Sequence, residues 1–132
     1  MPATLTIRDE ELTGKTLNEF SLDFLTERIT VRELIRSRVY QEVKDHNAQQ
    51  NQLEFCGLVQ PTDTERTLNG FRMKTPRQID WKEQFDKALE AFEQQQILIL
   101  IDDHQAESLE EEIEIRTDTR VSFLRLTLLV GG

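Results

Sequence analysis

Hydrophobic and polar residues alternate along the first part of the chain. The apolar positions recur at every second residue in two runs: Leu5 and Ile7, then Phe20, Leu22 and Phe24. Because successive side chains of a strand point to opposite faces, each run predicts a half-buried β-strand. The segment between them contains Gly14, which can adopt a positive φ, so the two runs together predict a β-hairpin.

A helical period follows. Apolar residues then recur three and four positions apart: Val31, Leu34, Ile35, Val39 and Val43. Thr30 precedes this stripe and Glu33 comes three residues later, which is the spacing of a capping box. The pattern predicts a helix that begins after Thr30, has one apolar face and ends near residues 45–47.

The periodicity breaks between residues 47 and 79. Residues Thr62–Leu68 are predicted to form a short helix that ends at Asn69-Gly70. The alternative is that Asn69-Gly70 forms a hairpin turn between residues 66–68 and 71–73. We expect the short helix and keep the hairpin as the second interpretation.

A second long helix is predicted to begin at Asp80, with Glu83 three residues later. Its stripe is rich in aromatic residues, which we expect in the core: Trp81, Phe85, Ala88, Leu89 and Phe92. The next segment, Ile97–Ile101, is predicted to form a strand that is apolar on both faces, and a turn is predicted at residues 102–104. An acidic stretch at 107–114 has three apolar anchors nearby: Leu109, Ile113 and Ile115.

The final strand, from Val121, has no partner next to it in sequence that is as hydrophobic as itself, so it is buried best between the first strand and Ile97–Ile101. This order predicts an α+β fold of the β-grasp type, a mixed sheet around the helix of residues 31–43. Residues 1–132 would form one domain, in which 47–94 are a helical insertion before the third strand. Which face of the final strand is buried stays open, because a slip of one residue reverses it.

Composition limits the function. The 132 residues include 25 acidic and 16 basic ones, a net charge of −9. A nucleic-acid or membrane partner is not expected, because both need a basic face. No apolar run is long enough to span a bilayer, and the N-terminus lacks a signal-peptide pattern. These observations predict a cytoplasmic protein.

Few residues offer catalytic or metal-binding chemistry. Cys56 is the single cysteine, which excludes an intramolecular disulfide and a CxxC zinc site. Its apolar neighbours predict an inert thiol that is buried or half-buried. Asp102, Asp103 and His104, taken with His46, are interpreted as turn and surface residues, so no metal site is predicted.

Two motifs at opposite ends of this element order resemble the ubiquitin-like family. Leu12-Thr13-Gly14-Lys15-Thr16 matches the hairpin turn of ubiquitin letter for letter, and the chain ends in Gly131-Gly132. The resemblance covers residues 3–46 and 95–132, and it extends to the ubiquitin-like modifiers of bacterial conjugation pathways. Residues 47–94 have no counterpart in it.

The resemblance implies a protein modifier rather than an enzyme. Its reactive group would be the carboxylate of Gly132, which an activating enzyme adenylates with ATP and a conjugating enzyme passes as a thioester to target lysines. A deconjugating metallopeptidase would be a further partner, and the modifier itself would need no cofactor. Leu129 and Val130 would form the exit that carries the two glycines into the enzyme. Leu12 corresponds to the family's partner-docking leucine in the first turn.

One departure changes the expected enzyme. Ubiquitin carries arginines before its glycines, whereas this chain has Thr127-Leu128-Leu129-Val130, so we expect a cognate enzyme with an apolar channel mouth. Two alternatives remain. The first is a sulfur carrier that forms a C-terminal thiocarboxylate, and the second is a β-grasp protein-binding module that is not conjugated.

Overall fold

The structure is a computed structural model that describes residues 2–49, 52–67 and 70–126. The described residues contain two helices, α1 (Val31–Asn47) and α2 (Trp81–Glu93). They also contain ten strands: β1 (Ala3–Glu10), β2 (Thr16–Phe24), β3 (Arg28–Thr30), β4 (Glu54–Phe55), β5 (Thr64–Arg66), β6 (Phe71–Met73), β7 (Ile97–Ile101), β8 (His104–Gln105), β9 (Glu112–Glu114) and β10 (Arg120–Arg125). Within the described chain, neither helix is long and apolar enough to cross a membrane.

The chain divides into two compact units. Unit 1 consists of Met1–Leu34 and Ala91–Gly132, and unit 2 consists of Ile35–Glu90. The boundaries fall inside the two helices, so unit 1 contains the first turn of α1 and the last residues of α2.

Unit 1 contains a five-stranded mixed sheet with the order β2-β1-β10-β7-β8. β10 runs parallel to β1 and antiparallel to β7, and β1 and β2 form an antiparallel hairpin. The predicted α+β class and the central position of the final strand are therefore confirmed. A central place suits β10 because both of its edges are hydrogen-bonded and its inward-facing side chains, Val121 and Phe123, are buried.

The strand register decides which face of this sheet is buried. One face is almost inaccessible and carries Leu5, Ile7, Leu22, Phe24, Ile97, Ile99, Val121 and Phe123. Leu124 is paired with Leu98 and Ser122 with Leu100, so these side chains lie on the opposite face. The question that the sequence left open is thus answered: Phe123 points inward and Leu124 points outward.

The first hairpin forms as its turn sequence predicts. Gly14 has a φ of +91°, and its N–H donates to the carbonyl oxygen of Glu11 at 2.9 Å. Asp9 pairs with Asn18 whereas Glu10 pairs with Thr16, so Leu17 is the extra residue of a β-bulge. The bulge and the glycine together end the strand pair in a tight turn.

The start of α1 also follows the prediction. Thr30 Oγ1 accepts from the N–H of Glu33 at 3.2 Å, and Glu33 Oε1 accepts from the N–H of Thr30 at 3.3 Å, which is a complete capping box. The acidic stretch satisfies the next backbone donors, because Val31 and Arg32 donate to the carbonyl oxygens of Glu111 and Leu109. The apolar stripe predicted along α1 is buried throughout.

Unit 2 corrects the expectation for residues 62–68. Its described part, residues 62–67, does not form a short helix, because Thr64–Arg66 is strand β5 and pairs antiparallel with β6. β4 pairs with the other edge of β6 and completes a three-stranded sheet. The hairpin is favoured because the ladder satisfies the backbone groups of β5 while it places Phe71 and Met73 of β6 in the core.

Cys56 is exposed, so the prediction of a buried or half-buried thiol is wrong. It follows strand β4, and its neighbours Phe55 and Gly57 are both buried. Because successive residues of an extended chain point in opposite directions, burying Phe55 turns the Cys56 side chain outward. Apolar neighbours in sequence therefore did not indicate burial.

Helix α2 begins where predicted but differs in its cap and its buried face. Asp80 Oδ1 accepts from the N–H of Lys82 at 3.1 Å, whereas Glu83 bonds to Thr62 and not to Asp80. Within unit 2 the buried positions are Gln84 and Ala88, and Trp81 and Phe85 are half-buried. The predicted aromatic core is thus only partly correct.

Candidate functional site

The predicted conjugation tail, Leu129, Val130, Gly131 and Gly132, lies outside the described residues. The strand that precedes it is described as far as Leu126, whose N–H donates to the carbonyl oxygen of Gln96 at 2.8 Å. Arg125 pairs with Ile97 one position earlier. The ladder between β10 and β7 therefore extends to Leu126, six residues before the end of the sequence.

A charged pair on the inner face fixes this end of β10. Asp9 of β1 is only 3% exposed, and its Oδ2 lies 3.6 Å from Nη2 of Arg125. A carboxylate this deeply buried needs a compensating charge or hydrogen bonds. The guanidinium of Arg125 supplies such a charge, so the end of β10 is tied to β1 by its side chain as well as by the ladder.

Three leucines form an apolar area on the outer face of the unit 1 sheet, which we call the leucine patch: Leu98, Leu100 and Leu124. Leu98 and Leu124 are direct partners across β7 and β10. All three side chains are half-buried, although they belong to the face opposite the core. The sequence reveals these leucines but not their direction, so it could not identify them as a surface.

Leu12 lies in the hairpin turn and is 56% exposed. The turn begins just after Glu10, which is the direct partner of Leu124 on β10. The end of β1 therefore leads from the border of the leucine patch into the turn that carries Leu12. Leu12 is therefore only two residues beyond the strand position that pairs with the leucine patch.

Comparison with known proteins adds no assignment. No protein-family model matches the chain, and no curated protein sequence matches it. The resemblance to ubiquitin-like modifiers therefore depends on the residues of the turn and the tail and on the order of the strands.

Three of the four candidate metal-binding residues have other partners. His104 Nε2 lies 3.0 Å from Glu111 Oε2, and Asp102 Oδ1 accepts from the N–H of Arg120 at 2.8 Å. In unit 2, the buried His46 stacks edge-on against Phe55 with ring centroids 5.4 Å apart. No group of three metal-ligating side chains occurs among the described residues.

Proposed function

We propose that the chain is a ubiquitin-like protein modifier, with the five-stranded sheet of unit 1 as the sheet of its β-grasp domain and Gly131-Gly132 as the segment that is activated and conjugated. The observation that carries this proposal is the position of β10. It lies at the centre of the sheet, parallel to β1, and residues 126–132 follow it directly in sequence. A β-grasp modifier needs this connection, because the strand that leads to its tail is also the strand that anchors the tail in the domain.

The chemistry proceeds at the carboxylate of Gly132. One carboxylate oxygen attacks the α-phosphorus of ATP, a bond to that phosphorus forms, and pyrophosphate leaves. A thiolate of the activating enzyme then attacks the acyl carbon and AMP leaves. Finally a lysine amine displaces the thiolate and loses its proton, which gives an isopeptide bond. The modifier is the substrate in each step, and glycines suit this role because a foreign backbone can approach them closely.

Partner enzymes need a surface on the modifier besides its tail. Leu12 and the leucine patch provide an apolar surface beside the end of β10, the strand that carries the tail. We infer that the activating and conjugating enzymes contact these leucines. Residues 47–94 lie outside the family resemblance and contribute none of these residues.

The modifier function predicts that a specific peptide remnant stays on target lysines after digestion. Trypsin cleaves after Arg125, so a target lysine modified by this protein keeps the remnant Leu126-Thr127-Leu128-Leu129-Val130-Gly131-Gly132 on its side chain. An N-terminally tagged chain that ends at Gly132 is produced in the source cells, purified under denaturing conditions and digested. We expect mass spectrometry to find this remnant on lysines of other proteins.

Two variants control the experiment. Gly132→Ala adds a methyl group beside the reacting carbon and should remove most of the remnant, whereas Asp118→Ala, at an exposed turn, should leave it unchanged. A tail that gains the mass of an oxygen-to-sulfur exchange, without conjugates, would indicate a sulfur carrier instead. If deletion of Gly131-Gly132 changes neither the conjugates nor the phenotype of the cells, the chain is a binding module and the proposal fails.

A further inference from the structure

A groove of about 610 Å³ lies in unit 1, at the edge of the sheet beside β7 and β8. Its buried apolar lining comes from Phe92, Ile97 and Leu109, which are 8%, 3% and 8% exposed. The backbone of Ala106 donates to Ile99, after which the chain turns away from β7. The edge of β7 at Ile97 therefore borders the groove instead of being covered by a continuation of β8.

The direction of the Ile97 backbone follows from the ladder. The Leu126 N–H donates to Gln96, so this pair is a hydrogen-bonded pair and the next pair, Arg125 with Ile97, is not. The N–H and C=O of Ile97 consequently point away from β10 and toward the groove. An extended segment in line with β8 would meet both of these groups.

The loop of residues 107–110 forms the wall of the groove opposite β7, and several hydrogen bonds hold it in place. The carboxylate of Glu111 accepts from the backbone N–H of Glu107 at 3.0 Å, and its other oxygen lies 3.0 Å from His104. Arg32 of helix α1 donates to Glu110 at 2.7 Å. The loop that forms the wall is therefore organised before any partner arrives, which lowers the entropic cost of binding.

The charge of the groove indicates the partner. Its lining contains the carboxylates of Glu93, Glu107 and Glu110 and the single guanidinium of Arg32, which is paired with Glu110. The same sign extends over the whole unit, because unit 1 contains sixteen acidic and seven basic residues whereas unit 2 contains nine of each. The net charge of −9 thus resides in the unit that contains the groove.

We propose that this groove binds an extended, basic peptide segment of a partner protein. The segment lies in line with β8, exchanges backbone hydrogen bonds with Ile97, places apolar side chains against Phe92 and Leu109, and directs lysines or arginines toward Glu93 and Glu107. Adding a strand to a sheet edge provides affinity through the backbone, while apolar and charged contacts provide specificity. The proposal does not depend on the modifier function, because it involves neither the tail nor Leu12, and the groove shares only Leu98 with the leucine patch.

The test uses the full chain, labelled with ¹⁵N, and two acetylated hexapeptides. One alternates lysine and valine, and the control alternates glutamate and valine. We expect the lysine peptide to shift the amide signals of Ile97, Ala106 and Ser108 at moderate salt, and the glutamate peptide to have no effect. Loss of binding at high salt is expected, since rim charges are screened.

Matched variants separate groove binding from general attraction to an acidic unit. Glu107→Lys and Asp118→Lys change the net charge equally, but only Glu107 lines the groove. Glu107→Lys should weaken the lysine peptide roughly three- to tenfold, whereas Asp118→Lys should have a much smaller effect. Equal weakening by both variants, shifts spread over unit 1, or no binding at millimolar peptide would each overturn the proposal.

Discussion

Asn47 and Ile79 exchange two hydrogen bonds in unit 2. The side-chain amide of Asn47 donates to the carbonyl oxygen of Ile79 at 2.9 Å, and its Oδ1 accepts from the N–H of Ile79 at 2.8 Å. Asn47 is the last residue of α1, and Ile79 lies just before the N-cap of α2. One amide side chain therefore satisfies the backbone of the segment that leads into the second helix.

Replacing Asn47 tests how much these two hydrogen bonds contribute to the stability of the fold. Asn47→Ala leaves both backbone groups of the buried Ile79 without their partner, so we expect a loss of about 2–4 kcal/mol in the free energy of unfolding. Asn47→Asp keeps the acceptor and should lose less. Urea unfolding measures both, with Asn18→Ala on the exposed part of β2 as the control. Equal effects of the alanine and aspartate variants would contradict this account.

The capping box of α1 predicts the effect of changing Thr30. Thr30→Ala removes the hydroxyl that accepts from Glu33, and should cost ~1 kcal/mol. Thr30→Ser keeps the hydroxyl and should retain most of the stability. Thermal unfolding compares these variants. If alanine and serine are equally destabilising, the loss arises from the missing methyl group of threonine and not from the cap.

The pKa of Glu83 provides a test by pH. It lies below its ordinary value of 4.5, first because the Thr62 hydroxyl donates to its carboxylate and second because Lys87 does so. A carboxyl with a lowered pKa stabilises the folded state above pH 4.5, and this contribution is lost as the pH falls below that value. Thr62→Val should therefore raise the pKa of Glu83. It should also make smaller the part of the unfolding free energy that is lost as the pH falls below 4.5.

A carbon-detected NMR titration of the Glu83 carboxyl measures this change directly. Thr75→Val, at an exposed position of the same unit, is the matched control and should leave the pKa of Glu83 where it is in the parent. An unchanged pKa in Thr62→Val would show that the Thr62 hydroxyl does not lower it and that the positive charges of Lys87 and Arg77 do.

Two phenylalanines of unit 2 should differ strongly in stability. Phe55 is 2% exposed, so Phe55→Ala should cost ~3–5 kcal/mol. Phe85 is only half-buried beside Trp81, at a centroid distance of 5.9 Å, so Phe85→Ala should cost roughly 1–2 kcal/mol. Chemical denaturation ranks the two variants. An equal or larger effect at Phe85 would mean that the aromatic stripe of α2 is core after all.

Parts of the candidate site were accessible from sequence and parts were not. Leu12 stands in a turn whose sequence indicates an exposed tip, and the structure leaves it exposed. Leu98 and Leu124 could not be assigned to a surface, because an apolar residue in a central strand suits either face. The groove was not predicted, since Phe92, Ile97 and Leu109 each resemble ordinary core residues in the sequence.

The sequence by itself determined the features that depend on close neighbours in the chain. The capping box at Thr30 and the turn at Gly14 join atoms only a few residues apart, and alternation predicts a strand whatever lies beside it. Only the tertiary structure decided the exposure of Cys56, the hairpin of β5 with β6 and the outward direction of Leu124. The physical reason is that a side chain's direction and a strand's partner depend on hydrogen bonds and packing between segments that are distant in sequence, and local periodicity contains no information about those segments.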